Sequence, residues 1–412
     1  MLHARRALLT VLPFMLVPLA AQTAPADARL LASACNQFAV DLHDKLAAKG
    51  APTASPGSIA LALLMVVPGA RGDTEKELVT VLRLPPELRG ERLHQAAKDL
   101  IAGLVIAPKG QGNDAQLRIV NDLWAQAGYP ILADYSTLLR THYGAQAREV
   151  PFASNPEAAR KTINTYIANA TNQRIPELLT PDLVTTDTRV VLTNAIWLKA
   201  AWQNAFPASL TKPAKFTLTT GEAIEVPTMH TGEAFAYAET DAWQCVVLPF
   251  AGCDVVAEFV LPRAGKPLAD AERALLAGEH EKLLANAHVQ LSMPRFRTTG
   301  AHRLRDVLIA LGIRLAFTKD ADFTGITPRR ELVIDDVVHQ TWIQVDEAGA
   351  EAAAATAVAI KRTSAPGPGA QKVFAADRPF AFTLRDRSTG LVLFLGRVED
   401  PRANATAAQP AR

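Results

Sequence analysis

The chain has 412 residues, of which 49% are hydrophobic, 20% charged and only 6% aromatic, which is enough apolar material for a substantial core and too little charge for a disordered chain. Its formal charge is +2, and two of its arginines lie within the first six residues. The rest of the chain is therefore neutral, and neither nucleic acid nor an anionic membrane surface is a partner that its charge would attract.

The first 24 residues read as a secretory signal peptide. His3, Arg5 and Arg6 make a basic start, Ala7 to Ala21 is almost uncharged and apolar, and small residues follow at Ala20, Ala21 and Ala24. Pro13, Pro18 and the short apolar length argue against an uncleaved membrane anchor. Export to the medium or to a periplasm is the expected localisation. Beyond the leader no Pro/Gly/Ser linker, repeat or low-complexity block divides the chain, so residues 28–402 read as a single domain. The polar, alanine-rich residues 403–412 read as a disordered tail.

In chain order, helical periodicity is expected from Asp27 to Lys49, Ser58 to Val67, Thr74 to Leu82, Leu93 to Leu104, Tyr135 to Tyr143, Pro156 to Thr171 and Ala301 to Leu311. Strand-like runs lie at Gln116 to Trp124, Arg189 to Leu198, Ile224 to Pro227, Gln244 to Leu248, Val255 to Leu261, Val289 to Met293, Leu332 to Ile334, Thr341 to Asp346 and Leu391 to Val398. Helices concentrate early and strands late. That distribution is α+β with antiparallel or mixed sheets, and not an alternating parallel fold.

Three cysteines, Cys35, Cys245 and Cys253, cannot build a disulfide framework. The sequence around Cys35 resembles a lipid-attachment site, but the polar stretch Gln22 to Arg29 separates it from the apolar part of the leader, and a buried cysteine of the first helix is the better reading. Cys245 and Cys253 flank a turn at Pro249 to Gly252, which leaves a pairing across a hairpin open.

Catalytic and metal-binding patterns are scarce. Ser209 and Lys212 have the Ser-x-x-Lys spacing of penicillin-recognising enzymes, in which a serine needs a lysine one helical turn away. Neither Ser-Asp-Asn nor Lys-Thr-Gly follows downstream, so a surface loop is the better reading and a secreted acyl-serine enzyme a remote one. There is no Gly-x-Ser-x-Gly, no His-Glu-x-x-His, no phosphate-binding glycine loop and no cysteine and histidine array for zinc. No catalytic residue, metal or cofactor is assigned, and the protein is not read as an enzyme.

The most distinctive stretch is Val345 to Ser364. Between Ala350 and Ala359 seven of ten residues are alanine, which favours a surface helix by propensity. Yet the run lacks an N-cap and an apolar stripe, and it ends in Pro366-Gly-Pro-Gly369. Read with a period of two, Ala350, Ala352, Ala354, Thr356 and Val358 fall on one face and Glu351, Ala353, Ala355, Ala357 and Ala359 on the other. Such a strand can slip between two existing strands with its small side chains inward and Glu351 towards water. Alanine's low β-propensity keeps it from being a strand by default.

This stretch resembles the hinge and reactive-centre loop of serpins, and further motifs follow the family's order. They are Ser55 to Leu63, Gly69 to Thr74, Asn121 to Trp124, Ile163 to Ile167 with Thr171 and Ile175, and Leu192 to Trp202. Val226 to Met229, Met293 to Phe296, Leu311 to Ile313, Ala321 to Gly325, Asp377 to Phe380 and Leu393 to Arg397 continue it, so that the resemblance spans residues 28 to 402. It implies the serpin fold, three β-sheets with about eight or nine helices and an exposed loop at residues 348–372. It also implies a monomer that traps a serine protease covalently.

Under that resemblance Glu347, Gly349 and Ala350 are the start of the hinge, which continues through Glu351, Ala352, Ala353, Ala354, Ala355 and Thr356. Ser55, Ser58, Asn194 and His339 match the shutter beneath the main sheet, and Trp202 matches the tryptophan of the breach. Counting from Gly349 places the cleaved bond at Thr363-Ser364, which suits an elastase-like pocket. A loop one residue shorter places it at Arg362-Thr363, which suits the buried acid of a trypsin-like pocket. The alternative within the family is a non-inhibitory carrier or chaperone, whose hinge would carry bulky, charged or proline residues.

Overall fold

Side-chain capping marks where two of the helices begin. The computed structural model describes residues 24–50, 53–104, 115–350 and 371–402. Helix α1 (Ala26–Ala47) buries Leu31, Cys35, Phe38 and Leu42 along one face. Helix α2 (Pro56–Val66) is apolar on every side and all of its residues are buried, as expected of a helix in the middle of a core. Its N-cap is Ser55, whose hydroxyl accepts from the Ser58 N–H at 3.4 Å, and Pro56 occupies the first turn. Helices α3 (Gly72–Val81) and α4 (Glu91–Leu104) follow.

The chain then enters strand β1 (Gln116–Gln126) and helix α5 (Ala133–Leu138), which runs into a π turn at Leu139–Tyr143. After the short strand β2 (Ala147–Val150) comes helix α6 (Pro156–Ala170), capped by Asn155 through the Ala158 N–H at 3.0 Å. Strand β3 (Val190–Ala201) is buried along nearly its whole length, the signature of a central strand covered on both faces.

Four further strands are β4 (Lys212–Thr217), β5 (Ala223–Glu239), β6 (Trp243–Pro249) and β7 (Val255–Pro262). Helix α7 (Leu268–Leu276), strands β8 (Ala285–Pro294) and β9 (Phe296–Arg303) and helix α8 (Arg305–Leu311) come next. The last strands are β10 (Asp336–Val345), β11 (Gly349–Ala350), β12 (Lys372–Ala375), β13 (Phe380–Asp386) and β14 (Val392–Val398). Helices do come early and strands late, and the fold is α+β.

The first sheet has the order β2-β1-β3-β11-β10-β9. At its centre β3 and β10 run parallel and are paired directly from Val191 to Trp197 against Asp336 to Trp342. Beyond that ladder the two strands part, and β11 sits in the opening, with Gly349 opposite Ala201 and Ala350 opposite both Ala200 and Val345. One face of this sheet packs on α2 and the main core. The other carries Trp124, Trp197 and Trp342 against Ile163 and Ile167 of α6.

The second hydrogen-bonded network has the order β12-β8-β5-β6-β7-β13-β14, with β4 also on β5. The 17-residue β5 explains why the two smaller sheets expected of the family are continuous here. Its first part pairs with β4, its middle with β8 and its end with β6.

Several element boundaries differ from the sequence reading. Ala301 to Arg303 belong to strand β9 and not to a helix, because residues 296–303 alternate buried and exposed while pairing with β10; the helix begins only at Arg305. Leu332 to Ile334 make no ladder. Ile334 donates one N–H to Ala316 O at 3.0 Å, and pairing starts at Asp336. Strands β2, β4, β12 and β13, helix α7 and most of β5 lie outside the expected segments. Cys245 is a free thiol sealed in the core, so no bridge joins it to Cys253. Cys35 is buried in α1 as expected, and burial pushes its thiol up to about 12.

Candidate functional site

Two parts of the first sheet carry the residues singled out in the sequence. At the closed centre, backbone register places Asn121, Asn194, His339 and His302 in one row across β1, β3, β10 and β9. Ser55 and Ser58 meet this row from the cap of α2. All four predicted shutter residues therefore come together, and each is completely buried.

Their hydrogen bonds fix the protonation pattern. The Ser55 backbone N–H can only donate, and it points at His339 Nε2 at 2.9 Å, so Nε2 accepts and the ring proton sits on Nδ1. That proton is donated to Asn194 Oδ1. The Asn194 amide nitrogen in turn donates to Ser58 O at 3.0 Å, to Ser58 Oγ and to Asn121 Oδ1, while the Ser55 hydroxyl donates to Leu393 O. Burial, reinforced by the neighbouring His302, holds His339 well below the ordinary histidine value of 6.5. Both position and charge make it a neutral structural donor.

The sequence reading missed the rest of the cluster. His302 stacks on His339 with ring centroids 5.8 Å apart and planes 10° apart. It donates to Thr53 O at 2.6 Å, and Thr53 Oγ1 lies 2.9 Å from Thr298 Oγ1. Burial lowers His302 below 6.5, partly offset by that carbonyl. Gly300 allows the approach: a Cβ there would lie 2.0 Å from Thr53 O. Only inter-strand register brings these residues together, and no spacing along the chain encodes it.

The second part lies where β3 and β10 diverge. After Val345 the chain reverses in a tight turn, with Asp346 N donating to Gly349 O at 3.0 Å and Ala348 N to Asp346 Oδ1 at 2.9 Å. The Trp202 to Phe206 segment holds all three carbonyls of this turn. Trp202 Nε1 donates to Asp346 O at 2.9 Å, Phe206 N to Glu347 O at 3.0 Å and Trp202 N to Ala348 O at 2.9 Å. The Trp202 ring is itself fixed by stacking on Phe250, 4.5 Å between centroids and 7° from coplanar.

Glu347 is clamped as well. Arg295 Nε donates to both carboxylate oxygens at 2.8 Å, Arg295 Nη2 reaches Oε1 at 2.6 Å, and the Thr211 hydroxyl donates to Oε1 at 2.5 Å. Burial works against the charge, but these donors hold Glu347 below the usual carboxylate range. Burial and the adjacent Glu347 push Asp346 upward.

Gly349 is the point where the strand can only be glycine. Its φ is 150°, and a Cβ would lie 2.0 Å from Ala200 O. Ala350 is completely buried between β3 and β10, so the smallest L side chain fills the opening. The remaining hinge positions Glu351, Ala352, Ala353, Ala354, Ala355 and Thr356 lie outside the described residues, as do Arg362, Thr363 and Ser364, the leader before Ala24 and the tail from Ala403. Ser209 and Lys212 are not one helical turn apart. Ser209 sits in a short 3-10 turn and Lys212 opens strand β4, both exposed, and among the described residues no hydrogen bond joins them.

The two parallel central strands are paired directly over most of their length and part only at one end, where Gly349 and Ala350 are seated. The family model described as serpin (serine protease inhibitor) matches residues 33–401. The chain belongs to the serpin family. A serpin-like protein of the archaeon Thermococcus kodakarensis is 38% identical over 90% of this chain and 85% of its own length. The leukocyte elastase inhibitor of Bos taurus is 33% identical over 90% of this chain and 99% of its own. Among solved structures, human thyroxine-binding globulin in complex with thyroxine superposes with a TM-score of 0.82 at 26% identity, covering 91% of this serpin and 100% of that chain. Proteins similar to this serpin thus include one named as an elastase inhibitor and one named as a thyroxine-binding globulin.

Proposed function

We propose that this serpin is a secreted inhibitor of serine endopeptidases that acts by inserting its cleaved loop into the first sheet. The observation that carries the proposal is the seating of Gly349 and Ala350 between β3 and β10 at the open end of their ladder. Continuing β11 would separate the seven directly paired residues of each strand, starting beside Trp342 and reaching the Asn194–His339 hydrogen bond in the middle. Small alternate residues in the sequence beyond Ala350 suit the inward positions of such a strand. The likeness to the bovine elastase inhibitor supports the same reading.

In the proposed mechanism the serine of the target attacks the carbonyl carbon of Arg362 or Thr363. An ester to the protease forms as the peptide bond to the following residue breaks. The hinge then adds as a strand, a form of β-augmentation that releases stored strain, and carries the acylated protease with it before water can cleave the ester. The native form is accordingly held by kinetics and not by equilibrium. A trypsin-like target goes with Arg362 and an elastase-like target with Thr363.

The test is to mix the mature protein with trypsin and with a pancreatic elastase, and to identify the cleaved bond by mass spectrometry. A detergent-resistant band at the summed mass, with release of a peptide starting at Thr363 or Ser364, is the expected result. Cleavage within the loop by both enzymes, with no such band, would count against inhibition of either class.

A further inference from the structure

The seam between β3 and β10 ends, on the side away from the hinge, in a side chain. Direct pairing of the two strands starts at Val191 and Asp336, and one step before it Asp335 spans both chains. Its N–H donates to Val190 O at 2.9 Å, and its Oδ2 accepts the N–H groups of Val190 at 3.0 Å and Arg189 at 2.8 Å. We propose that Asp335 is a clasp at the far end of the seam, a positioning residue that has to release Arg189 and Val190 before an entering strand completes its course. The inference rests on the insertion proposed above and adds the residue that limits its last step.

Register places the clasp at the end of that course. Ala350 stands opposite Ala200 of β3 and Val345 of β10. Counted one residue at a time along all three strands, the tenth residue after Ala350, Ile360, would meet Val190 on one side and Asp335 on the other. Ile360 keeps the parity of Ala350, and so would face the main core to which Ala350 and Val190 both belong. It precedes Arg362 by two residues, so the clasp has to open only when the cleaved end arrives.

The clasp differs in kind from the ladder beside it. Ladder bonds join neutral backbone groups, which an entering strand replaces with bonds of the same type. Hydrogen bonds to a carboxylate are roughly twice as strong as neutral ones, and the entering strand offers each N–H a neutral carbonyl at best. The segments that Asp335 joins are also anchored on their other sides. Arg189 O accepts from Gln126 N at 2.9 Å, Ile334 N donates to Ala316 O at 3.0 Å, and Arg303 ties Asp336 to Asp182 at 3.0 and 3.1 Å. The link between these two fixed segments is therefore Asp335 itself.

Two measurements test this. In the intact protein, Asp335→Ala is expected to speed hydrogen exchange of the Arg189 and Val190 amides by about tenfold or more, while Asp335→Asn, which keeps an acceptor oxygen, stays within about threefold of the native rate. After cutting near Arg362 with protease in excess, insertion is followed by tryptophan fluorescence, since Trp197 and Trp342 face each other across the seam. Its limiting rate is expected to rise about tenfold in Asp335→Ala and to stay within about threefold of the native rate in Asp335→Asn. Asp386→Ala removes a buried carboxylate from β13 and should leave that rate unchanged, which separates the clasp from general destabilisation. Unchanged exchange or unchanged insertion in Asp335→Ala, or equal acceleration in Asp386→Ala, would overturn the clasp alone. A native protein whose melting temperature does not rise on cutting would overturn insertion, and the clasp with it.

Discussion

Replacing Asn194 by alanine isolates the hydrogen-bonded row that closes the first sheet. In the native protein Asn194 Oδ1 is the acceptor for the His339 Nδ1 proton, and its amide group donates to Ser58 and Asn121. The Ser58 carbonyl lies within α2 and its hydroxyl can rotate, and Asn121 is partly exposed, so these groups find other partners. The His339 proton does not, because His339 is completely buried. A buried donor left without a partner costs about 1–3 kcal/mol, and the lost hydrogen bond itself about 1 kcal/mol more. Asn194→Ala should therefore lower stability by about 2–4 kcal/mol, read as a shift of the guanidinium unfolding midpoint followed by tryptophan fluorescence. In a double-mutant cycle with His339→Ala, the second substitution should cost at least about 1 kcal/mol less on the Asn194→Ala background. A loss below about 0.5 kcal/mol together with strict additivity would refute the assigned hydrogen bond.

Three other predictions concern the same sheet. His302 and His339 both sit below their ordinary value of 6.5, so at low pH the unfolded chain binds protons that the folded one refuses. Stability is present in full above pH 6.5 and is lost as the pH falls from 6.5 towards the folded values, by up to about 1.4 kcal/mol per pH unit for each histidine; unfolding midpoints between pH 8 and pH 5 should show a shallower slope in His302→Asn. Gly349→Val places a Cβ against Ala200 O, so β11 should leave the sheet and the Ala350 amide should exchange at least about a hundredfold faster. Trp202→Ala removes the ring stacked on Phe250 and the donor to Asp346 O, and should cost about 3–5 kcal/mol in denaturant unfolding. Trp202→Phe, which keeps the stacking, should cost about 1 kcal/mol.

The hinge side of the site is legible in the sequence because its constraints are local. Gly349 followed by small residues states where a strand can enter, and Ser55-Pro-Gly-Ser58 states where α2 begins. Ser55, Ser58, Asn194, His339, Trp202 and Gly349 each have partners in the structure, but those partners are non-local. His302, Thr53 and the Arg295–Glu347 clamp depend on the register of β9 against β10, which periodicity along one strand does not specify. The long β5 was readable only over Ile224 to Pro227, because its three segments face three different partners and no single alternation covers 17 residues. Ala301 to Arg303 look helical by composition and become strand because β10 offers them a ladder, a case of tertiary pairing overriding local preference.

The central claim is that the seam between β3 and β10 is built to open for the rest of the loop. It is tested most directly by cutting the loop near Arg362 with a catalytic amount of protease, keeping both fragments together, and comparing thermal unfolding before and after. Insertion predicts that the cleaved protein melts at least about 10 °C higher, the shift that several kcal/mol gives in a large domain. An unchanged or lower melting temperature, with the loop shown by mass spectrometry to be cut, would contradict it.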